Sequence, residues 1–91
     1  MKSFPTTLIA YKRTPEFSES SVPKGLLRDH STKEGVWGKI VVLEGYLNYC
    51  IQAPVVENVE LSSGRFGVVE PMIRHHIKPL GSVRFYVEFY R

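Results

Sequence analysis

The chain has 91 residues, of which 43% are hydrophobic and 23% charged, so it can form one globular domain but has too few residues for a second core. Its formal net charge is +3, and the basic residues are scattered singly apart from Lys12-Arg13. This pattern argues against nucleic-acid binding, which usually needs basic residues clustered on one face. The single cysteine, Cys50, excludes an internal disulfide, and no apolar run is long enough for a membrane span or a signal peptide, so we expect a cytoplasmic protein.

The amino-terminal half predicts short strands separated by polar loops that contain Ser, Glu, Pro and Gly. Runs of β-branched and aromatic residues lie on either side of Glu44 and Gly45, a pattern that predicts a hairpin with a two-residue turn. No segment shows a convincing helical pattern, so we expect no helix. The strands predicted in this half are residues 8–12, 26–29, 36–43 and 46–51.

The carboxyl-terminal half predicts further strands, bounded by residues that stop or turn the chain. Pro71 ends one of them because proline has no N–H for a strand ladder, and Pro79 and Gly81 mark a later turn. About eight short strands with turns between them are typical of an antiparallel sandwich or barrel. The strands predicted in this half are residues 55–61, 66–70, 72–78 and 83–90.

The last predicted strand alternates between apolar and polar side chains, as a half-buried strand does. Its polar face carries Tyr86 and Tyr90 among charged residues, a mixture that suits a self-complementary two-fold contact. We therefore expect a homodimer, with the alternative that the tyrosines cover the surface of their own chain. The residues predicted to face the core are Val83, Phe85, Val87 and Phe89.

His75 and His76 are consecutive on a predicted strand, so their side chains should point to opposite faces. His75 shares its face with Ile73 and Ile77 and should point inward, whereas His76 should face outward. A buried imidazole needs partners for its ring nitrogens, and His30, the only other histidine, could join it at a metal. The alternative for each histidine is an ordinary core or surface residue.

The metal that such imidazoles would hold is a divalent ion, Zn, Fe, Ni or Mn, with carboxylates or water completing its coordination. Arg28 and Arg74 lie close in sequence to the two candidate ligands, and guanidinium groups bind anions through paired hydrogen bonds. Together with His76, these arginines are candidates for an anion site or for contacting the metal ligands without binding the metal themselves.

A set of motifs, ordered along nearly the whole chain, is the most specific signal in the sequence. The motifs are Tyr11-Lys-Arg-Thr-Pro15, Leu27-Arg-Asp-His-Ser-Thr-Lys33, Gly35-Val-Trp-Gly-Lys-Ile-Val-Val-Leu-Glu-Gly45, Val69-Glu-Pro71, His75 with Ile77, and Phe85-Tyr-Val-Glu-Phe-Tyr90. Together they resemble the TehB/YeaR-like domain, a small cupin-like module. The resemblance implies an all-β fold, a compact antiparallel cupin barrel of the double-stranded β-helix type. It also implies a link to tellurite resistance and to stress from oxyanions or nitrogen oxides.

The resemblance carries two site residues over to this chain. His30 matches the histidine after the second strand and His75 the one after the Val-Glu-Pro turn, positions at which cupins place metal ligands. Thr32 stands where a standard cupin motif has a second histidine, and residues 71–73 lack the Pro-x-Gly of the second motif, so a sparse site completed by water and a carboxylate is implied. In the larger TehB proteins a methyltransferase domain follows this module, but nothing here resembles a nucleotide-type cofactor loop, so methyl transfer is not carried over.

These observations predict a single-domain, cupin-like protein over residues 1–91 that binds a divalent metal and serves a tellurite or related stress response. One alternative is a small metal-dependent oxygenase or isomerase, whose open metal positions would bind a substrate. The other is a metal-free module in which Arg28, His30 and His75 hold an oxyanion or another small ligand. The sequence leaves open whether the protein is an enzyme and names no substrate.

Overall fold

Two long antiparallel strands form the centre of the fold, and four shorter strands pair along their outer edges. The computed structural model describes residues 1–91. No helix is long and apolar enough to cross a membrane. The strands are β1 (Ala10–Arg13), β2 (Phe17–Ser18), β3 (Trp37–Ile51), β4 (Glu57–Leu61), β5 (Gly67–Val69) and β6 (His75–Tyr90), and one short 3₁₀ helix spans Lys24–Leu27.

Strands β3 and β6 pair along their length, from Trp37 opposite Tyr90 to Ile51 opposite His75. The outer edge of β3 pairs with β4 at one end and β5 at the other, while β1 and β2 pair with β6. Every pairing is antiparallel, which confirms the predicted all-β antiparallel class. The strand order β1, β6, β3, β4 leaves β1 and β4 unpaired with each other, so the sheet is not a closed barrel, and the predicted cupin-like double-stranded β-helix stays a prediction.

The predicted hairpin at Glu44 and Gly45 is also wrong, because both residues lie inside the continuous strand β3. Gly45 has a φ of +77°, and the register with β6 shifts on both sides of this pair of residues. These are the features of a β-bulge, which bends a strand without ending it. The predicted turn at Pro79 and Gly81 is wrong for the same reason: β6 runs through it, and Pro79 pairs with Leu47 where the register shifts.

Other predicted strands change in kind or length. The segment predicted as a strand at residues 26–29 overlaps the 3₁₀ helix, and only His30 after it forms a β-bridge, with His75. The segments at residues 55–61 and 66–70 form the shorter strands β4 and β5. The two-residue strand β2 was missed because it lies in a polar loop without alternation.

The core is built from the inward faces of β3, β4, β5 and β6. In β6 the predicted alternation holds, since Val83, Phe85 and Val87 are buried, Phe89 packs partly buried against the core, and Arg84 is exposed. The hydrophobic core consists of Ile40, Val42, Leu47, Tyr49, Ile51, Val59, Leu61, Val69, Ile77, Val83, Phe85 and Val87.

The outward tyrosines of β6 contact side chains of their own chain. The Arg13 guanidinium lies 4.3 Å from the ring centroid of Tyr86. The Tyr90 hydroxyl donates to Glu88 Oε1 at 2.5 Å, and the Phe4 ring packs edge-on against Tyr90 with centroids 4.6 Å apart. These contacts within one chain do not test the homodimer, which stays a prediction.

Sedimentation equilibrium at micromolar concentration would check the dimer. We expect a mass of twice the 10.4 kDa chain, and a lower mass for Tyr86→Glu, because a carboxylate placed in an aromatic two-fold contact would be buried without a partner. A wild-type mass near 10.4 kDa would contradict the dimer, and a Tyr86→Glu dimer would move the interface elsewhere.

Candidate functional site

A cavity of about 370 Å³ lies beside the start of β6, between the core and the segments that precede β3. Its volume falls within the range of small-molecule sites, about 300–1,000 Å³. Most of the exposed surface of its wall is apolar, although apolar and polar residues line it in about equal number. The apolar part comprises Leu26, Val36, Ile40, Val69, Ile77, Val87 and Phe89, and the polar part Tyr11, Lys12, Thr14, His30, Ser31, Thr32, Lys33 and His75.

The two histidines that were predicted to meet, His30 and His75, lie side by side in the wall of this cavity. A two-way backbone bridge holds them, since the N–H of each residue donates to the carbonyl of the other at 2.9 Å. Their ring centroids are 4.2 Å apart, and the ring planes meet at 58°. The pair is therefore fixed by main-chain geometry and not by side-chain contacts alone.

Both imidazoles have the same hydrogen-bonding pattern. Nδ1 of His30 lies 2.9 Å from the carbonyl oxygen of Arg28, and Nδ1 of His75 lies 2.9 Å from that of Ile73. A carbonyl oxygen can only accept, so Nδ1 of each ring must carry a hydrogen, and Nε2 of a neutral ring is left as an acceptor. No protein group bonds to either Nε2. Since no buried side-chain nitrogen lacks a partner, Nε2 of His75 keeps some accessible surface, and His75 is one of the residues that line the cavity.

His75 is almost completely buried, with 3% of its surface exposed. The Tyr49 ring packs edge-on against it with centroids 5.6 Å apart, and the Tyr49 hydroxyl is anchored by donating to Val68 O at 2.8 Å. Burial lowers the pKa of His75 to about 4, although the bond to the Ile73 carbonyl opposes this shift. The ring is therefore neutral at pH 7.

This depressed pKa predicts a loss of stability in mild acid. In the unfolded chain the imidazole titrates near its ordinary pKa of 6.5, so the unfolded state binds more protons than the folded state between pH 6.5 and 4. The stability associated with neutral His75 is complete above pH 6.5 and is lost as the pH falls, by up to about 3 kcal/mol. Urea denaturation at pH 7, 5.5 and 4 measures this loss. We expect His75→Gln to flatten the curve, and an unchanged pH dependence in that variant would contradict the assignment.

Three other residues predicted near the site, Arg28, Arg74 and His76, lie outside the cavity. His76 is on the opposite face of β6 from His75, where its Nδ1 donates to Asp29 Oδ1 at 2.7 Å. That hydrogen bond is the main cause of the lowered pKa of Asp29. Arg74 is largely exposed and lies 3.9 Å from the same carboxylate, while Arg28 contributes only its backbone carbonyl to the histidine pair.

Lys12 and Lys33 are the charged cavity residues that sequence reasoning missed. Lys12 lies in β1 and Lys33 in the loop before β3, and both are exposed at the cavity wall. Neither ammonium is ion-paired, and no Asp or Glu lines the cavity. In the sequence, Lys12 is only part of a motif that supports the family resemblance. Its position at the cavity depends on the pairing of β1 with β6, which the sequence alone does not reveal.

The threonine hydroxyls of the cavity are already committed to the backbone. Thr14 Oγ1 accepts from the Val87 N–H at 2.9 Å and donates to the carbonyl of Pro15 at 2.9 Å. Thr32 Oγ1 donates to the carbonyl of Val36 at 2.7 Å. The polar groups left free to bind a ligand are thus the imidazole Nε2 atoms, the two ammonium groups and the hydroxyls of Tyr11 and Ser31.

Residues 12–87 match the family model of the TehB-like domain. The probable S-adenosyl-L-methionine-dependent methyltransferase TehB of Haemophilus influenzae (strain ATCC 51907 / DSM 11121 / KW20 / Rd) is 30% identical over 77 residues, which are 80% of this chain and 27% of that protein. The protein of the same name from strain 10810 gives the same identity and coverage. The chain therefore spans about a quarter of the length of these curated relatives.

Two solved structures have the same fold. The crystal structure of a protein from Escherichia coli (strain K12) superimposes with a TM-score of 0.89 at 23% identity, covering 100% of this chain and 97% of that one. The crystal structure of TehB from H. influenzae gives a TM-score of 0.86 at 28% identity, covering 93% of this chain and 32% of that one.

The predicted divalent metal, and with it the metal-binding cupin and the metal-dependent oxygenase or isomerase, is wrong. The names of the curated relatives describe them as probable S-adenosyl-L-methionine-dependent methyltransferases. In addition, no three His, Cys, Asp or Glu side chains lie together in a group that could hold a metal. The structural reason is that only two imidazoles, from His30 and His75, meet in the cavity. The carboxylate next in sequence, Asp29, turns to the other face of β6 and bonds to His76.

Proposed function

Since this chain belongs to the TehB-like domain family, we propose that it is a small-ligand-binding domain that recruits the methyl acceptor for an S-adenosyl-L-methionine-dependent methyltransferase. The 77 matching residues make up 27% of the curated relative, and the proposal assigns methyl transfer itself to the remainder of such proteins or to a separate enzyme. The observation that carries the proposal is the largely apolar cavity lined by His75, whose Nε2 atom has no protein partner and is not sealed from solvent.

The chemistry of the cavity supports a ligand that has a hydrogen to donate. Neutral His75 presents Nε2 as an acceptor, and a buried acceptor that finds no donor costs about 1–3 kcal/mol when water is displaced. A ligand with an O–H, N–H or S–H group satisfies it, and methyl acceptors that carry such a group on the atom that is methylated meet this requirement. The proposed ligand is therefore small and protic.

The histidine pair is rigid before a ligand arrives, which favours binding. The backbone bridge between His30 and His75 and the two Nδ1–H bonds to carbonyls fix both rings in position and tautomer. A preformed site loses little side-chain freedom when it is filled, so more of the contact energy is available for affinity.

A variant that fills the cavity tests the binding function. Val36 lines the cavity and is only partly buried, so Val36→Trp should occupy the space without cutting into the core. Phenol, a small aromatic molecule with one O–H group, is a suitable probe in ¹H–¹⁵N NMR titrations. We expect it to shift the amide signals of cavity residues in the wild-type domain at millimolar concentration, and Val36→Trp to abolish these shifts.

The matched control for this test is Val56→Trp, which adds the same side chain at an exposed position that does not line the cavity. It should bind phenol as the wild type does. Shifts that are scattered over the surface, or that persist in Val36→Trp, would contradict a ligand site in this cavity.

The methyltransferase role is tested separately in a chimera. This chain would replace the matching residues of H. influenzae TehB, since the two folds superimpose over 93% of this chain. We expect the Val36→Trp chimera to show a higher KM for the methyl acceptor at unchanged kcat, measured by label transfer from S-adenosyl-L-methionine. Identical KM values for the two chimeras would contradict recruitment.

A further inference from the structure

The cavity is much larger than an inorganic oxyanion. Its volume of about 370 Å³ corresponds to the space of roughly 12 liquid water molecules at about 30 Å³ each. An anion of four or five heavy atoms would leave most of this space to water, in contact with the partly exposed side chains of Leu26, Val36 and Phe89. Burying such apolar side chains against a ligand stabilises a complex by about 25 cal/mol for each Å² removed from water. The cavity therefore favours a ligand with an apolar body.

The charges around the cavity have one sign. Lys12 and Lys33 are exposed in its wall without ion-pair partners, and no carboxylate of the chain lines the space between them and the histidines. A negative group on the ligand would be attracted to this wall, whereas a positive one would be repelled. The lysines therefore favour an anionic head group.

The histidines in the wall disfavour that same head group. Nε2 of His75 is an acceptor, because its Nδ1 hydrogen is committed to the Ile73 carbonyl, and an ionised carboxylate has no hydrogen to give it. A carboxylate placed there would bring two acceptors together away from water. A hydroxyl, in contrast, can donate to Nε2, so the lysines and the histidines in the wall select two different groups.

We infer that the ligand of this cavity is a hydroxylated organic anion, with its negative group at Lys12 and Lys33, an apolar body against the core and its hydroxyl donating to Nε2 of His75. The inference rests on the proposed function and adds to it the chemical class of the ligand. It excludes an inorganic oxyanion as the principal ligand.

Four probes separate the groups of this ligand in ¹H–¹⁵N NMR titrations of the whole domain at pH 7. The probe 4-hydroxyphenylacetate has all three groups, phenylacetate lacks the hydroxyl, 2-(4-hydroxyphenyl)ethanol lacks the charge, and selenite lacks the apolar body. We expect 4-hydroxyphenylacetate to bind most tightly, and the loss of the hydroxyl or of the charge to weaken binding by about 3- to 10-fold each. Selenite should leave the signals of the cavity residues unshifted.

Variants assign each effect to a residue. Lys12→Ala and Lys33→Ala together should weaken both carboxylates by about 3- to 10-fold and leave 2-(4-hydroxyphenyl)ethanol unchanged. The control is Lys78→Ala, which removes an equally exposed, unpaired lysine that does not line the cavity. His75→Phe should remove the preference for 4-hydroxyphenylacetate over phenylacetate, with folding checked by the dispersion of the NMR spectrum.

The outcomes separate the inference from the proposed function. Saturable binding of selenite in the cavity without binding of the organic probes would overturn the inference and leave a small-ligand domain standing. Equal affinity for the charged and uncharged hydroxylated probes would overturn the anionic head group alone. If neither selenite nor any organic probe shifts the cavity signals, both the inference and the small-ligand function fail.

Discussion

Replacing Phe85 by alanine is expected to lower the free energy of unfolding by about 3–5 kcal/mol, a large part of the roughly 5–15 kcal/mol typical of a small domain. Phe85 is completely buried at the middle of β6. It pairs with Val42 of β3 on one side and Phe17 of β2 on the other. The ring centroids of Phe85 and Phe17 are 5.7 Å apart. Truncation would remove this contact and leave a cavity that the paired strands on both sides cannot close.

The matched control is the preceding residue, Arg84, whose side chain is about half exposed. Its guanidinium lies 3.8 Å from Glu16 and 3.7 Å from Glu44, both of which are exposed, and such ion pairs contribute little. Arg84→Ala should therefore cost less than about 1 kcal/mol in the same urea titration. Reversed costs would mean that the two faces of β6 are exchanged.

Replacing Gly45 by alanine is expected to be comparably severe, at about 3 kcal/mol or more. Gly45 has a φ of +77°, a conformation that strains any residue with a Cβ. A Cβ at this position would also lie 2.0 Å from the carbonyl oxygen of Ser82 in β6, so the two central strands would have to separate. Urea denaturation, or loss of the β-sheet circular dichroism signal if the variant does not fold, measures the effect.

Substitutions at two other glycines distinguish the cost of backbone strain from the cost of a steric clash. Gly81 has a φ of +96°, but a Cβ at this position would meet no neighbouring atom within 4 Å, so Gly81→Ala should cost only the backbone strain, about 1–2 kcal/mol. Gly25 has neither feature, and Gly25→Ala should leave stability within about 1 kcal/mol of the wild type. If Gly45→Ala costs no more than Gly81→Ala, the close approach of β3 and β6 at Ser82 is wrong.

The sequence by itself determined those features that depend on strand periodicity. Successive side chains in a strand point to opposite faces, so the burial of Phe85 and His75 and the outward positions of Arg84 and His76 follow from their order in the chain. The all-β antiparallel class follows from the same alternation. These features are local, and no distant residue was needed to predict them.

Only the tertiary structure decided where the strands bend and which groups meet. Glu44 and Gly45 favour a turn in isolation, yet β6 pairs with residues on both sides of them, and the ladder continues through a bulge. Asp29 directly precedes His30 in sequence, but its carboxylate bonds to His76, 47 residues away, and so lies apart from the His30 and His75 pair. Lys12 reaches the cavity only because β1 pairs with β6. Pairing between distant strands sets these positions, and a local sequence pattern carries no record of which strands pair or in which register.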